Sequence, residues 1–528
     1  MSAPTELAAL AALTALRRNH WNNHLARHAH EKPDAVLLRY RGESTTWAQQ
    51  RQRAQALAAG LAAQGIGFGD RVAVLMANRP EFVDLLFAAT SLGAIVVPVN
   101  FRLTPDEIGF ILADSGATLL AVDEVGGPAA VRALAALDQP PLLYAVGEVV
   151  GARPLIELAT TGAEPPLVDV PEDSPALIMY TSGTTGTPKG AVLSHQNLQC
   201  QALTLIRNWR LFDDDEVTLC ASPLFHIASI GGLAPMTLIG GTTVLMPSGN
   251  FNAADTLDVL EQERVTSAFL VPAQWQVICA EPTLPQRDLS ALKTTCWGAA
   301  PATTSLLQRM AEVFPHVTNV AVFGQTEMSP VTCALDGKDA LRKIGSVGKP
   351  VSTVSVRIVD DDMVDVPPGE VGEIVYRGPG TMAGYWNRPE ATAEAMTGGW
   401  FHSGDLVRAD DEGFLYVVDR KKDMIITGGE NVYCAEVENA LAAHPDIVEL
   451  CVVGAPDERW GETVVAVAVL RDGATLSVGE LRTWATDRLA RYKLPTVLHV
   501  VDALPRNASG KVTKPALRAQ FATSVRDG

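Results

Sequence analysis

Paired cysteines are missing from this chain of 528 residues. Its seven cysteines (Cys200, Cys220, Cys279, Cys296, Cys333, Cys434 and Cys451) stand singly with no CxxC pair. That excludes a disulfide framework and a zinc ribbon and fits a reducing compartment, with each thiol expected to be a small buried hydrophobe. No apolar run reaches the ~20 residues needed to span a bilayer. The N-terminal ELAALAALTAL puts its acidic residue first and Arg17 and Arg18 after it, the reverse of a secretory leader, so an amphipathic or capping helix is expected there. A positive balance is also lacking. The net charge of −18 argues against nucleic acid as a general partner and against strong electrostatic attachment to a membrane, while leaving room for a nucleotide in a local positive pocket. The expected location is cytoplasmic. No fixed period of solenoid length repeats.

What is present describes a well-packed globular chain: 47% hydrophobic and 19% charged residues. At roughly 100–200 residues per domain, about three or four structural units are expected. From about residue 45, helical stretches such as WAQQRQRAQALAAGLAAQG alternate with short apolar strands such as RVAVLMAN, AIVVPVN and ATLLAVD. Thr104, Pro105 and Glu107 form a helix-start signal, as do Ser477 and Glu480 further on. TTVLMP, TSAFLVP, TTCWGAA and VTNVAVFG make a second strand series. Continuous apolar strands between helices imply parallel sheets covered on both faces. Past about residue 345 short strands suggest a small β unit, and an α+β region follows Arg420. The expected architecture is α/β: a large N-terminal domain, 1–420, of two layered subdomains plus the β unit, then a small mobile domain, 421–528. DRKKD at 419–423 reads as a solvated link.

The stretch YTSGTTGTPKGAVLSH, residues 180–195, sets hydroxyls, glycines and Lys189 between two apolar runs. A hairpin loop is the plain reading. Curled backbone, hydroxyl donors and one ammonium also suit a polyphosphate. It is not a Walker loop, since Gly183 and Gly186 are too close and no Gly-Lys-Ser/Thr follows. In VFGQTEMSP, Glu327 offers a hard oxygen for Mg²⁺ and Thr326 a hydroxyl at the end of a strand, where open α/β sheets gather their sites. An exposed turn glutamate is the competing reading. Asp405 after a glycine and Arg420 suit the hydroxyls of a ribose, or read equally as surface residues. Lys511, in PRNASGKVTK, is a solvated loop charge or a mobile group that enters and leaves a site.

In this order along one chain, from roughly residue 30 to the C-terminus, these motifs resemble the adenylate-forming superfamily of acyl-CoA synthetases, adenylation domains and beetle luciferases. The resemblance implies a carboxylate that attacks the α-phosphate of ATP, giving acyl-AMP, and a thiol that then displaces AMP. It places Thr181, Ser182, Gly183, Thr184, Thr185, Gly186 and Lys189 around the phosphates. Gly298, Ala299, Ala300 and Pro301 would line the adenine, with Phe323 on its other face where relatives commonly carry tyrosine; Gly324 and Gln325 would also bind the nucleotide, Thr326 would contact the α-phosphate and Glu327 would hold Mg²⁺. Asp405 and Arg420 would fix the ribose. Lys511 would serve adenylation only, Lys422 would be the hinge, and Gly428 and Gly429 would border the pantetheine arm of coenzyme A. ATP, Mg²⁺ and coenzyme A are therefore the implied cofactors.

For the acyl group, PLFHIASIGG puts His226 near the carboxylate, or leaves it a satisfied core histidine. Ile230, Trp275 and Met328 are expected as an apolar wall. No aspartate in this stretch would pair an amino-acid ammonium, and no tryptophan gate follows the histidine. A hydrophobic acid is expected, first a fatty acid and alternatively an aromatic or alicyclic one. A separate carrier protein is the alternative acceptor, no carrier domain or acyl-AMP-ligase insertion being visible. A non-catalytic binder is disfavoured, because it would not need Glu327, Asp405, Arg420 and Lys511 together. The reading admits a homodimer.

Overall fold

The apolar runs become strands and the capped polar runs become helices. In the computed structural model the described residues are 13–160, 162–181, 188–249, 251–300, 302–457, 459–507 and 510–521. The N-terminal ELAALAALTAL falls mostly outside them. Thr104 and Glu107 close a reciprocal capping box on helix Pro105–Ser115, and Ser477 and Glu480 do so on helix Val478–Ala485. Each box satisfies backbone donors that the first turn leaves open. By Cα packing the chain divides into two compact units, Met1–Val356 with Tyr376–Phe401, and Arg357–Val375 with His402–Gly528.

The first unit holds two large mixed sheets. In one, Thr318–Gly324, Thr294–Gly298, Ser267–Phe269, Val217–Cys220, Thr242–Leu245 and Val36–Tyr40 run parallel in that order, flanked by antiparallel edge strands. In the other, Pro175–Thr181, Ile95–Pro98, Arg71–Leu75, Leu119–Val122 and Leu142–Ala145 run parallel, with Lys189–Ser194 turned antiparallel beside Pro175–Thr181. The central strands are buried along nearly their whole length, because helices cover both faces. All seven cysteines are free and buried. Among the described residues no helix is long and apolar enough to cross a membrane.

The second unit centres on the long hairpin Ile447–Asp457 and Gly461–Leu470, joined by Val497–Val500 and Ile425–Thr427. One face packs Val437, Leu441 and Leu481, the other Leu504 and Leu517. DRKKD is not a bare solvated link. Asp419 and Asp423 are 7% and 8% exposed. Arg518 pairs with Asp423 at 2.7 Å, and Lys421 reaches Glu373 at 3.2 Å and Asp361 at 2.7 Å. Only Lys422 among its lysines stands outside these ion pairs; it is exposed.

Candidate active site

The hairpin and phosphate-loop readings of residues 180–195 turn out to be compatible. Pro175–Thr181 and Lys189–Ser194 are antiparallel neighbours, with Thr181 opposite Lys189. Ser182, Gly183, Thr184, Thr185 and Gly186 lie outside the described residues, as does Pro301. Gly190, just after the lysine, is required by packing: a Cβ there would sit 2.6 Å from a methyl of Ile178.

The second cluster forms where two parallel strands end. Gly298 is buried opposite Val322, and a Cβ on it would run into the Val322 carbonyl oxygen. Ala299 and Ala300 then emerge exposed, Ala299 with φ of 64°, a conformation that a side chain makes costly. Phe323 pairs with Cys333 on the next strand, and Thr332 Oγ1 donates to the Phe323 carbonyl at 3.1 Å. Gly324 meets the Pro330 carbonyl so closely that no Cβ fits. Thr326–Met328 is a 3-10 turn, and Glu327 within it is 8% exposed. Its burial removes the exposed-turn reading. The Nε2 of Gln325 is buried without a partner among the described residues. The hydroxyl of Tyr385 donates to Glu327 Oε1 at 3.0 Å. A nearly buried carboxylate, next in sequence to a threonine, is a donor set that fits Mg²⁺.

His226 caps helix Ile227–Ile239 with extended backbone and is half-buried. Its ring lies 4.5 Å from that of Phe225, which meets Phe101 edge-on at 5.3 Å. The loop ahead of it is fastened by Asn78, 1% exposed. Asn78 Nδ2 donates to the carbonyls of Ser222 at 2.9 Å and Met246 at 3.0 Å, and its Oδ1 accepts from the Leu224 amide at 2.7 Å. Ile230 and Met328 are 0% and 1% exposed. Trp275 is also fully buried, its indole donating to the Cys296 carbonyl at 2.9 Å and packing edge-on to Phe314. These three present no open surface, so Trp275 in particular acts as a peg between helix and sheet.

Asp405 and Arg420 face each other across two antiparallel strands of the second unit, and Arg420 Nε lies 2.6 Å from Asp405 Oδ1. Asp405 is 4% exposed, which rules out a surface carboxylate. Lys511 belongs to the same electrostatic neighbourhood. Desolvation of its ammonium and then the Arg420 guanidinium hold it below the ordinary lysine range, with Asp405 opposing. Its loop is wired to itself: the Lys511 amide donates to Asn507 Oδ1 at 3.0 Å, and Asn507 returns an amide bond to the Lys511 carbonyl at 2.9 Å. Arg506 spans from Glu449 at 2.8 Å to the Gly510 carbonyl at 2.9 Å. Gly428 and Gly429 adopt φ of 60° and 85° in a tight exposed turn, with the Trp460 indole over Gly428. Tyr385, Asn78 and Trp460 carry no spacing signal in the sequence, and the contacts that single them out are long-range.

Among known proteins, the AMP-binding enzyme family matches residues 25–386, and its C-terminal domain matches residues 436–511. A feruloyl-CoA synthase of Amycolatopsis is 43% identical, over 94% of this chain and 98% of its own. A long-chain-fatty-acid–CoA ligase of Mycobacterium tuberculosis is 38% identical, over 91% and 94%. The o-succinylbenzoate CoA synthetase of Bacillus subtilis, solved with its acyl-adenylate intermediate, superposes with a TM-score of 0.84 at 32% identity, covering 94% of this chain and 98% of that one. With motifs, fold and relatives in agreement over nearly its whole length, the chain belongs to the AMP-binding, adenylate-forming enzymes and is an AMP-forming acid–thiol ligase.

Proposed function

We propose that the protein joins an aromatic carboxylic acid to coenzyme A. The observation that carries this over a fatty acid is the 43% identity to an aromatic-acid relative across 94% of the chain. The Phe101–Phe225–His226 ring cluster supports it, since a further ring adds to such a cluster in offset or edge-on geometry. The fatty-acid reading rests on the more distant ligase at 38% identity and is the second choice.

In the first step the substrate carboxylate oxygen bonds to the α-phosphorus of ATP, and the bond to the β-phosphate oxygen breaks, releasing pyrophosphate. Thr181 and Lys189, with the loop between them, hold the phosphates; Thr326 donates to the α-phosphate. Glu327 holds magnesium, which when bound neutralises phosphate charge. Gly298, Ala299, Ala300 and Phe323 take the adenine, Asp405 and Arg420 the ribose. Lys511 neutralises charge developing between carboxylate and α-phosphate. In the second step the thiol sulfur, its proton lost, attacks the acyl carbon and AMP leaves. We assign the mobile domain to 421–528, Lys422 to its hinge and Gly428 and Gly429 to the pantetheine passage.

The test is pyrophosphate release from ATP across hydroxycinnamates, arylacetates, benzoates and fatty acids, with and without coenzyme A. Turnover with one aromatic acid and dependence on coenzyme A are expected. Preference for a fatty acid reverses the substrate assignment, and release stalling near one equivalent transfers the acceptor role to a carrier protein.

Two variants probe the assigned roles. Glu327→Gln should slow adenylation on the order of a hundredfold and raise the magnesium needed for half-maximal rate. An unchanged magnesium titration removes Glu327 from the site. Gly428→Ala forces a side chain into left-handed backbone, 2.8 Å from the Trp460 ring. Its cost, about 1–2 kcal/mol, should slow thioester formation about tenfold and leave pyrophosphate release untouched. Equal slowing of both half-reactions would place Gly428 elsewhere.

A further inference from the structure

Glu327 and Lys189 come from different segments of the first unit, and one side chain touches both. Tyr385 donates its hydroxyl to Glu327 Oε1 at 3.0 Å, while the Lys189 ammonium lies 5.3 Å from the centre of its ring. We infer that Tyr385 is a positioning residue that sets the orientation of the Glu327 carboxylate toward the metal and seats the Lys189 ammonium, a role resting on the reading of Glu327 as the magnesium carboxylate.

The backbone around Tyr385 is held on every side. Gly384 and Tyr385 pair antiparallel with Val192 and Ala191, on the strand that begins at Lys189. The Ala383 amide donates to the Val192 carbonyl at 2.9 Å and the Trp386 amide to the Gly190 carbonyl at 2.7 Å. The Tyr385 amide donates to Thr392 Oγ1 at 2.9 Å. The same segment grips Glu327 from the backbone, through the Met382 amide to the Glu327 carbonyl at 2.8 Å. A carboxylate in a short 3-10 turn has free rotation about its terminal torsion, and one hydrogen bond to Oε1 fixes the direction of Oε2. Over the ring face, the ammonium gains from the ring quadrupole without giving up a donor to it. One aromatic residue thereby ties the phosphate-side cation to the metal-side anion.

The test separates the two contacts. Tyr385→Phe keeps the ring and removes only the donor; Tyr385→Leu removes both. Calorimetric binding of ATP is measured with saturating magnesium and again with EDTA, alongside thermal melting. For Tyr385→Phe the expected result is about fivefold weaker binding with magnesium, unchanged binding in EDTA, and a wild-type melting temperature. Weakening by the same factor in both conditions, or in neither, overturns the assignment to Glu327. Tyr385→Leu should weaken binding in EDTA as well; if it matches Tyr385→Phe there, the ring does not seat Lys189. Glu327→Gln is run in parallel. If it retains the wild-type magnesium effect, the metal reading of Glu327 fails and this inference with it. If it loses that effect while Tyr385→Phe keeps it, only the tyrosine assignment fails.

Discussion

Replacing Lys511 by alanine will lower the rate of acyl-adenylate formation by about 10²- to 10³-fold, the usual loss when one fixed charge-stabilising donor is removed. Thioester formation from supplied acyl-AMP will proceed near the wild-type rate. The argument starts in the loop. A lysine on a floppy, solvated loop spends much of any attraction on ordering itself. Here Asn507 bonds the backbone of Lys511 at both its amide and its carbonyl, and Arg506 braces the Gly510 carbonyl, so the side chain leaves a fixed base. Lys511 is exposed, and its ammonium stands in the field of Arg420 and Asp405. A cation carried on a fixed base meets a developing negative charge without first ordering its own loop. Single-turnover pyrophosphate release and single-turnover thioesterification, measured separately, check it. Comparable loss in both half-reactions would contradict a role confined to the first.

Acidification should destabilise the protein well above the pH at which ordinary carboxylates titrate. His20, the extended residue ahead of helix Trp21–Glu31, His24 and His28, four apart within it, and His195 are 6%, 8%, 4% and 1% exposed. His20 and His195 rings lie 4.9 Å apart, and both nitrogens of His195 lack a partner among the described residues. Burial lowers His20 to about 4, with Glu172 and Asp169 raising it and Arg18 lowering it. It lowers His24 to about 4, with Arg27 and His28 adding to the effect, and His195 to about 3, with His20 adding to it and Glu172 opposing. Since these folded values lie below the unfolded one, stability is complete above about pH 6.5 and is lost as pH falls toward the folded values. At pH 5 each of these three rings costs about 2 kcal/mol, together about 6.

Asp84 works the other way. Burial raises it to about 7, so it contributes roughly 3 kcal/mol in the opposite sense over the same interval. The net loss is about 3 kcal/mol, a large part of a typical folding free energy. Thermal melting at pH 7.5, 6 and 5 reads it directly. His195→Phe should flatten the acid limb by about a third of the histidine contribution. A midpoint that is flat between pH 7.5 and 5, or an equally steep fall in the variant, would remove the histidines as the cause.

Much of this protein is written in short-range signals. Thr104–Glu107 and Ser477–Glu480 announce helix starts because a capping box involves only neighbours. RVAVLMAN and ATLLAVD announce buried strands because both faces of a parallel strand are covered. The order of the motifs pointed to the family and its reaction class, which the matching family models and relatives bear out. The side of its helix to which the Trp275 ring turns is not legible in apolar character alone; its indole bond to the Cys296 carbonyl sets it. DRKKD looked solvated because charge in sequence carries no sign of its partners, which lie at Glu373, Asp361 and Arg518.

The sequence by itself therefore determined the element types and the reaction class, because these depend on local backbone preference and on contiguous motifs. The tertiary structure alone decided which side chains hold the motif residues in place. Tyr385 is 58 positions from Glu327 and Asn78 is 146 from the Leu224 amide that it accepts. Such contacts are made by strand pairing and sheet packing, whose partners are set by the burial of the whole core.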